Sequence, residues 1–141
     1  MAYATAQDII DRYGEDALFV AADRNNDDAI DNAAVERALD DATDEINTYI
    51  GKRYTLPIAT VPRVVMRLCV DITLYRLSPG MALTEEKRQR YEDAIALLKL
   101  IAKGEVSLGL DDGSSAESAV GDAEVISNER QFSRRTMRGL V

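Results

Sequence analysis

Between Pro62 and Leu77 the chain reads PRVVMRLCVDITLYRL. Coiled as a helix, this stretch aligns Val65, Leu68, Ile72 and Tyr75 in one stripe, and Val64, Cys69, Val70 and Leu74 widen that stripe over most of the circumference. A helix that is apolar on nearly every side has no water-facing surface to offer and must be enclosed by other elements. Pro62 is placed to open it, because the first turn does not use its missing N–H. Ser78-Pro79-Gly80 breaks the chain sharply behind it. The stretch therefore predicts an all-α fold, a compact bundle of about five helices with this one at the centre.

The enclosing helices carry their own signals. From about Asn32 to Ile50, Val35, Leu39, Ala42, Ile46, Tyr49 and Ile50 recur at steps of three and four, and Gly51 stops the run. Thr84 caps a helix with Glu85 and Glu86 in its first turn, where the dipole favours acids. Tyr91, Ala94, Ile95, Leu98 and Ile101 form its buried stripe, and Gly104 closes it. Two short helices come first. One spans about Ala6 to Tyr13, capped by Thr5 with Asp8 at the third position and ended by Gly14. The other spans about Glu15 to Ala22, with Leu18 and Phe19 inward. Lys52 to Val61 is a connector, since Pro57 prevents helix there. Residues 1–110 thus read as one helical domain.

Composition narrows the function. The 141 residues carry a net charge of −8, which repels phosphate backbones and anionic lipid and sets general nucleic-acid or membrane binding aside. Trp is absent and Phe occurs twice, so the core must be aliphatic with Tyr as its main aromatic. The one cysteine, Cys69, lies in an apolar pattern and reads as a small buried hydrophobe. A nucleophilic thiol needs a base, and the chain has no histidine. Gly104-Glu-Val-Ser-Leu-Gly109 lacks the lysine and preceding strand of a phosphate loop. No run approaches the ~18 apolar residues that span a bilayer. Met1 to Asp11 has neither basic start nor apolar stretch, so the expected place is the cytosol of the producing cell. The expectation is a binding protein, neither enzyme nor cofactor carrier.

Three constellations carry charge in quantity. Asp23, Asn25, Asp27 and Asp31 occupy positions 1, 3, 5 and 9 of a calcium-loop pattern, with Ile30 at its apolar position. Asp28 stands where such loops place glycine, and Ala34 where they place the closing bidentate glutamate. The same residues also read as a solvated loop in which Asp31 caps the next helix. Glu36, Asp40 and Asp44 share a face at steps of four, with Asp41 and Glu45 beside them, and read as a solvated or partner-facing stripe. The third constellation is C-terminal. After a Gly, Ser and Asp-rich linker over residues 111–122, Arg130, Phe132, Arg134, Arg135, Met137 and Arg138 fall within nine residues. Arginine and bulky apolar side chains anchor protein interfaces, and a linker suits an arm that orders on a partner. Contact with nucleic-acid phosphate and a plain disordered tail are the rival readings of the same residues.

The order of motifs resembles a family. Tyr3-Ala-Thr-Ala-Gln-Asp8-Ile-Ile-Asp-Arg12-Tyr-Gly14 opens the resemblance, and Val35 to Pro57, VERALDDATDEINTYIGKRYTLP, is its strongest stretch. Asp71-Ile-Thr-Leu-Tyr75-Arg76-Leu, Arg90-Tyr91-Glu-Asp-Ala94, Gly104 to Gly109, and Phe132-Ser-Arg134 with Arg138-Gly139 continue it. The chain is similar to the small head–tail connector proteins of Mu-like phages and prophages. That resemblance implies a structural adaptor in the virion neck. It would sit beneath the portal protein as a homo-oligomer, a twelve-membered ring, with a further tail-side connector or terminator ring below. DNA would pass through the channel without specific binding. A soluble helical protein-binding or calcium-responsive regulatory module is the alternative. The arm would serve the first reading and the Asp23–Asp31 loop the second.

Overall fold

The computed structural model describes residues 1–110. It is all-helical there: α1 (Ala6–Tyr13), α2 (Glu15–Ala22), α3 (Asn32–Ile50), α4 (Arg63–Leu77) and α5 (Glu85–Lys103), with a short 3-10 turn at Gly80–Ala82. The residues chosen to start and stop these helices act as expected. Thr5 and Asp8 form a reciprocal capping box on α1. Asp31 accepts from the Ala34 N–H at 3.0 Å, and Thr84 from the Lys87 N–H at 3.3 Å. Gly104 ends α5 in the left-handed region at φ 86°, with the Glu105 N–H reaching back to the Leu100 carbonyl at 3.0 Å. Pro62 stands one residue before α4 rather than inside it, extended at ψ 149°. Its fixed φ suits the cap as well as the first turn.

Helix α4 is the central element. Val65, Leu68, Cys69, Val70, Ile72, Thr73, Leu74 and Leu77 are buried, and it packs against α2, α3 and α5. From α3 come Val35, Leu39, Ala42, Ile46 and Ile50; from α5, Ala94, Leu98 and Ile101. Several stripe residues sit nearer the surface than the periodicity suggests: Phe19, Tyr49, Val64, Tyr75, Tyr91 and Ile95 are half-buried. The core extends beyond the helices. Tyr3 and Ala4, ahead of α1, are buried against α3, where the Tyr3 N–H donates to Thr43 Oγ1 at 3.0 Å and its hydroxyl to Asn47. Tyr54, in the connector, is buried, and its hydroxyl accepts from the Leu108 N–H at 3.0 Å. That bond, with Val106, Leu108 and Leu110 packed on the core, folds the segment after α5 back onto the body.

Candidate functional site: charged faces on the helical body

The loop between α2 and α3 is closed by its own carboxylates. The Asp27 N–H donates to Asp23 Oδ1 and the Ala29 N–H to Asp27 Oδ1, each at 3.2 Å, while the Asp31 N–H returns to the Ala22 carbonyl at 3.1 Å. Asn26 and Asp28 take the left-handed turns at φ 52° and 58°. Asn and Asp tolerate that region because their short polar side chains bond locally. The carboxylates thus make turns and a helix cap, and among the described residues no group of three or more His, Cys, Asp or Glu is gathered as a metal cage.

The acidic stripe of α3 divides. Glu36, Asp40 and Asp44 are exposed, but Glu45 is half-buried and bonded on both oxygens. Arg76 donates to Oε2 at 2.6 Å through Nη2, and the Tyr91 hydroxyl to Oε1 at 2.9 Å. Tyr91 stacks in turn on Tyr75. The bond from Arg76 raises the guanidinium pKa, and burial with the Glu45 contact pushes the Tyr91 hydroxyl up to about 12. Sequence reading grouped Glu45 with the solvated acids. Its partners lie 31 and 46 residues away, beyond the reach of any local pattern.

A second tyrosine–carboxylate pair fastens α1 to α4. The Tyr13 hydroxyl donates to Asp71, and the Arg90 guanidinium lies 4.3 Å above the Tyr13 ring. Burial, reinforced by Asp71, pushes Tyr13 up to about 12, and burial also raises Asp71. Cys69 is fully buried, with Sγ 3.7 Å from Thr43 Oγ1, and burial raises its thiol pKa. That environment is one of packing.

Helix α3 separates two concave surfaces. On one side a cleft of about 480 Å³ lies between α3, the Arg24 loop and the chain after α4. Arg24, Arg37 and Arg76 line it, with one carboxylate, Asp41. Arg76 is held by Glu45, whereas the side chains of Arg24 and Arg37 make no hydrogen bond or ion pair among the described residues. The wall of this cleft is braced by Lys87, whose Nζ donates to Ser78 Oγ at 2.9 Å and to the Ala82 carbonyl at 3.1 Å. Burial lowers the Lys87 pKa. Met81 stands on that braced turn, fully exposed. On the opposite side a groove of about 420 Å³ is lined by Ala2, Ala4, Ala6, Val35 and Leu39, with Glu36 and Asp40 as its charged residues. The six residues expected to dock a partner, Arg130, Phe132, Arg134, Arg135, Met137 and Arg138, lie outside the described residues.

Small all-helical bundle, open charged faces and a braced apolar knob: this is the class of protein that the described residues define. No helix among them is long and apolar enough to cross a membrane. Residues 3–127 match the family described as Bacteriophage Mu, Gp36, and the chain belongs to that family of Mu-like phage proteins. It is 37% identical over 139 residues to the Mu-like prophage FluMu protein gp36 of Haemophilus influenzae, covering 99% of this chain and 98% of the relative. It is also 26% identical over 142 residues to Gene product J of Escherichia phage Mu, covering the whole of both.

Proposed function

We propose that the chain is a structural, non-catalytic virion protein: a head–tail adaptor that binds the portal ring and extends the DNA channel toward the tail. The observation that carries this reading is the pair of concave, oppositely charged faces on one braced helical body, in a chain of a Mu-like phage family. A subunit whose task is to hold neighbours needs surfaces on more than one side and no reaction chemistry. The C-terminal sequence adds a basic, Phe-containing segment, in which Arg130, Arg134, Arg135 and Arg138 complement acidic protein surface and Phe132 and Met137 supply anchors. The partners on this reading are the portal protein, the next tail-side ring and further copies of the chain in a twelve-membered ring. Its place is the virion neck, after synthesis in the bacterial cytoplasm.

The test is a portal-binding assay with the full chain and with a chain ended after Leu110, read by co-sedimentation and negative-stain imaging. The full chain is expected to add a ring of density beneath the portal. The shortened chain is expected to keep its helical circular dichroism and to lose portal binding, and Phe132→Ala to weaken binding more than Ser133→Ala. Absence of any full-length binding to the portal overturns the adaptor reading.

A further inference from the structure

We propose that the cleft beside Met81 and the groove beside Leu39 are the two halves of one head-to-tail contact, each receiving the other from a second copy of this chain. The inference rests on the assembly reading above and assigns surfaces to it.

The two faces are opposite in charge, and the exposed Met81 beside one offers a projection for the groove of the other. The cleft side presents the Arg24 and Arg37 side chains, which make no hydrogen bond or ion pair among the described residues, and Met81 stands on the turn whose Gly80 and Leu83 wall it. The groove presents Glu36 and Asp40, whose side chains likewise make no hydrogen bond or ion pair among the described residues, around an apolar lining of Ala2, Ala4, Ala6, Val35 and Leu39. An exposed methionine is ordinary by itself. Here it stands on a turn pinned by the two Lys87 bonds, and so forms a preformed knob rather than a loose tip. The groove, at about 420 Å³, accepts an unbranched side chain between Ala4 and Leu39. Seating the knob brings the unpaired arginines of one copy toward the unpaired acids of the next, and opposite charges across an interface fix register and exclude wrong partners. In a chain of net charge −8, like copies repel at long range, and the basic lining of the cleft offsets that repulsion locally.

The arrangement on α3 decides the symmetry. Ala34, Arg37, Ala38 and Asp41 face the cleft, and Val35, Glu36, Leu39 and Asp40 face the groove. At about 100° per residue these sets point in roughly opposite directions from the helix axis. A patch that binds a different patch on the far side of its neighbour is heterologous. It propagates in one direction and ends in a ring when the rotation closes.

The experiment uses full-length protein in sedimentation velocity, from micromolar to millimolar concentration and at low and high salt. Wild type is expected to self-associate with rising concentration, and less so in high salt. Arg37→Glu and Asp40→Arg are each expected to weaken association at least about tenfold, since each sets like charges face to face. Mixing the two variants, or combining both changes in one chain, is expected to restore association, because both then recreate opposite charges across the contact. Met81→Ser is expected to weaken association without altering its salt dependence. All five residues at issue (Arg24, Glu36, Arg37, Asp40 and Met81) are exposed, so unchanged circular dichroism confirms that folding is intact. Single variants that associate like wild type, a mixture that fails to recover, or a wild type that stays monomeric throughout each overturn the proposal. Portal co-sedimentation separates it from the adaptor reading. A wild type that stays monomeric yet binds the portal refutes only these copy-to-copy surfaces, and a wild type that self-associates as expected yet fails to bind the portal refutes only the adaptor role.

Discussion

The rings of Tyr75 and Tyr91 stack with their centroids 4.0 Å apart and their planes 9° from parallel. One tyrosine belongs to α4 and the other to α5, and the second also donates to Glu45 on α3. A single side chain thus ties three helices together. Tyr91→Phe keeps the stack and removes the donor, and is expected to cost about 1 kcal/mol of unfolding free energy. Tyr91→Ala loses both, and is expected to cost about 2–3 kcal/mol, below the range for a fully buried aromatic because the ring is half-buried. Urea midpoints read both. Equal losses would assign the whole effect to the hydroxyl.

The central position of α4 makes Leu68 a sensitive site. Its side chain is 1% exposed, with α4 enclosed by neighbours from three helices, so Leu68→Ala opens a cavity that the bundle cannot close. We expect a loss of about 2–5 kcal/mol in urea unfolding. A loss near zero would show that the site collapses freely.

Stability is expected to fall in alkali for a specific reason. Tyr13 and Tyr91 are each raised from 10.0 to about 12 in the folded chain. The folded state then holds those protons more tightly than the unfolded one, so the contribution is fully present below pH 10 and lost as the pH rises through about 12. Urea midpoints across that window are expected to decline, and Tyr13→Phe to flatten part of the decline. A variant that declines as steeply as wild type would remove Tyr13 from the account.

The loop from Asp23 to Asp31 is expected to stand without calcium. Its carboxylates already accept from Asp27, Ala29 and Ala34 N–H groups, and Ala34 leaves the closing bidentate ligand missing. Millimolar calcium is expected to leave Tm unchanged, whereas Asp31→Ala is expected to cost about 1 kcal/mol through loss of the α3 cap. A Tm rise of several degrees, abolished in Asp23→Ala, would revive the calcium reading.

Helix ends and the central helix were legible in the chain because their causes are local. Thr5, Asp31, Thr84 and Gly104 act on N–H and carbonyl groups within a few residues of themselves. The broad apolar surface of Val64–Leu77 needs no partner to be recognised. The roles of Glu45 and Tyr3 were not legible. Glu45 is one acid among several on α3, and only the fold brings Arg76 and Tyr91 to it. Tyr3 precedes the first cap in a stretch too short to show a period. The cleft was hidden for the same reason: Arg24, Arg37 and Arg76 come from a loop and two helices, and nothing in their spacing foretells that they converge. The basic C-terminal segment shows the converse, since its composition is plain in the sequence and its residues lie outside the described fold.

Gly104 turns the chain, and Tyr54 grips Leu108 on the way out. A Cβ at Gly104 would meet the Arg53 guanidinium at 3.3 Å, so the turn is closely walled as well as left-handed. The last described residue, Leu110, is therefore surveyed relative to the body like a stake driven at a known point. Thirty-one residues follow it in the sequence, and fully extended they reach on the order of 100 Å. That distance is a ceiling: any surface touched by Phe132 or the arginines around it must lie inside a sphere whose centre the helical bundle has already set.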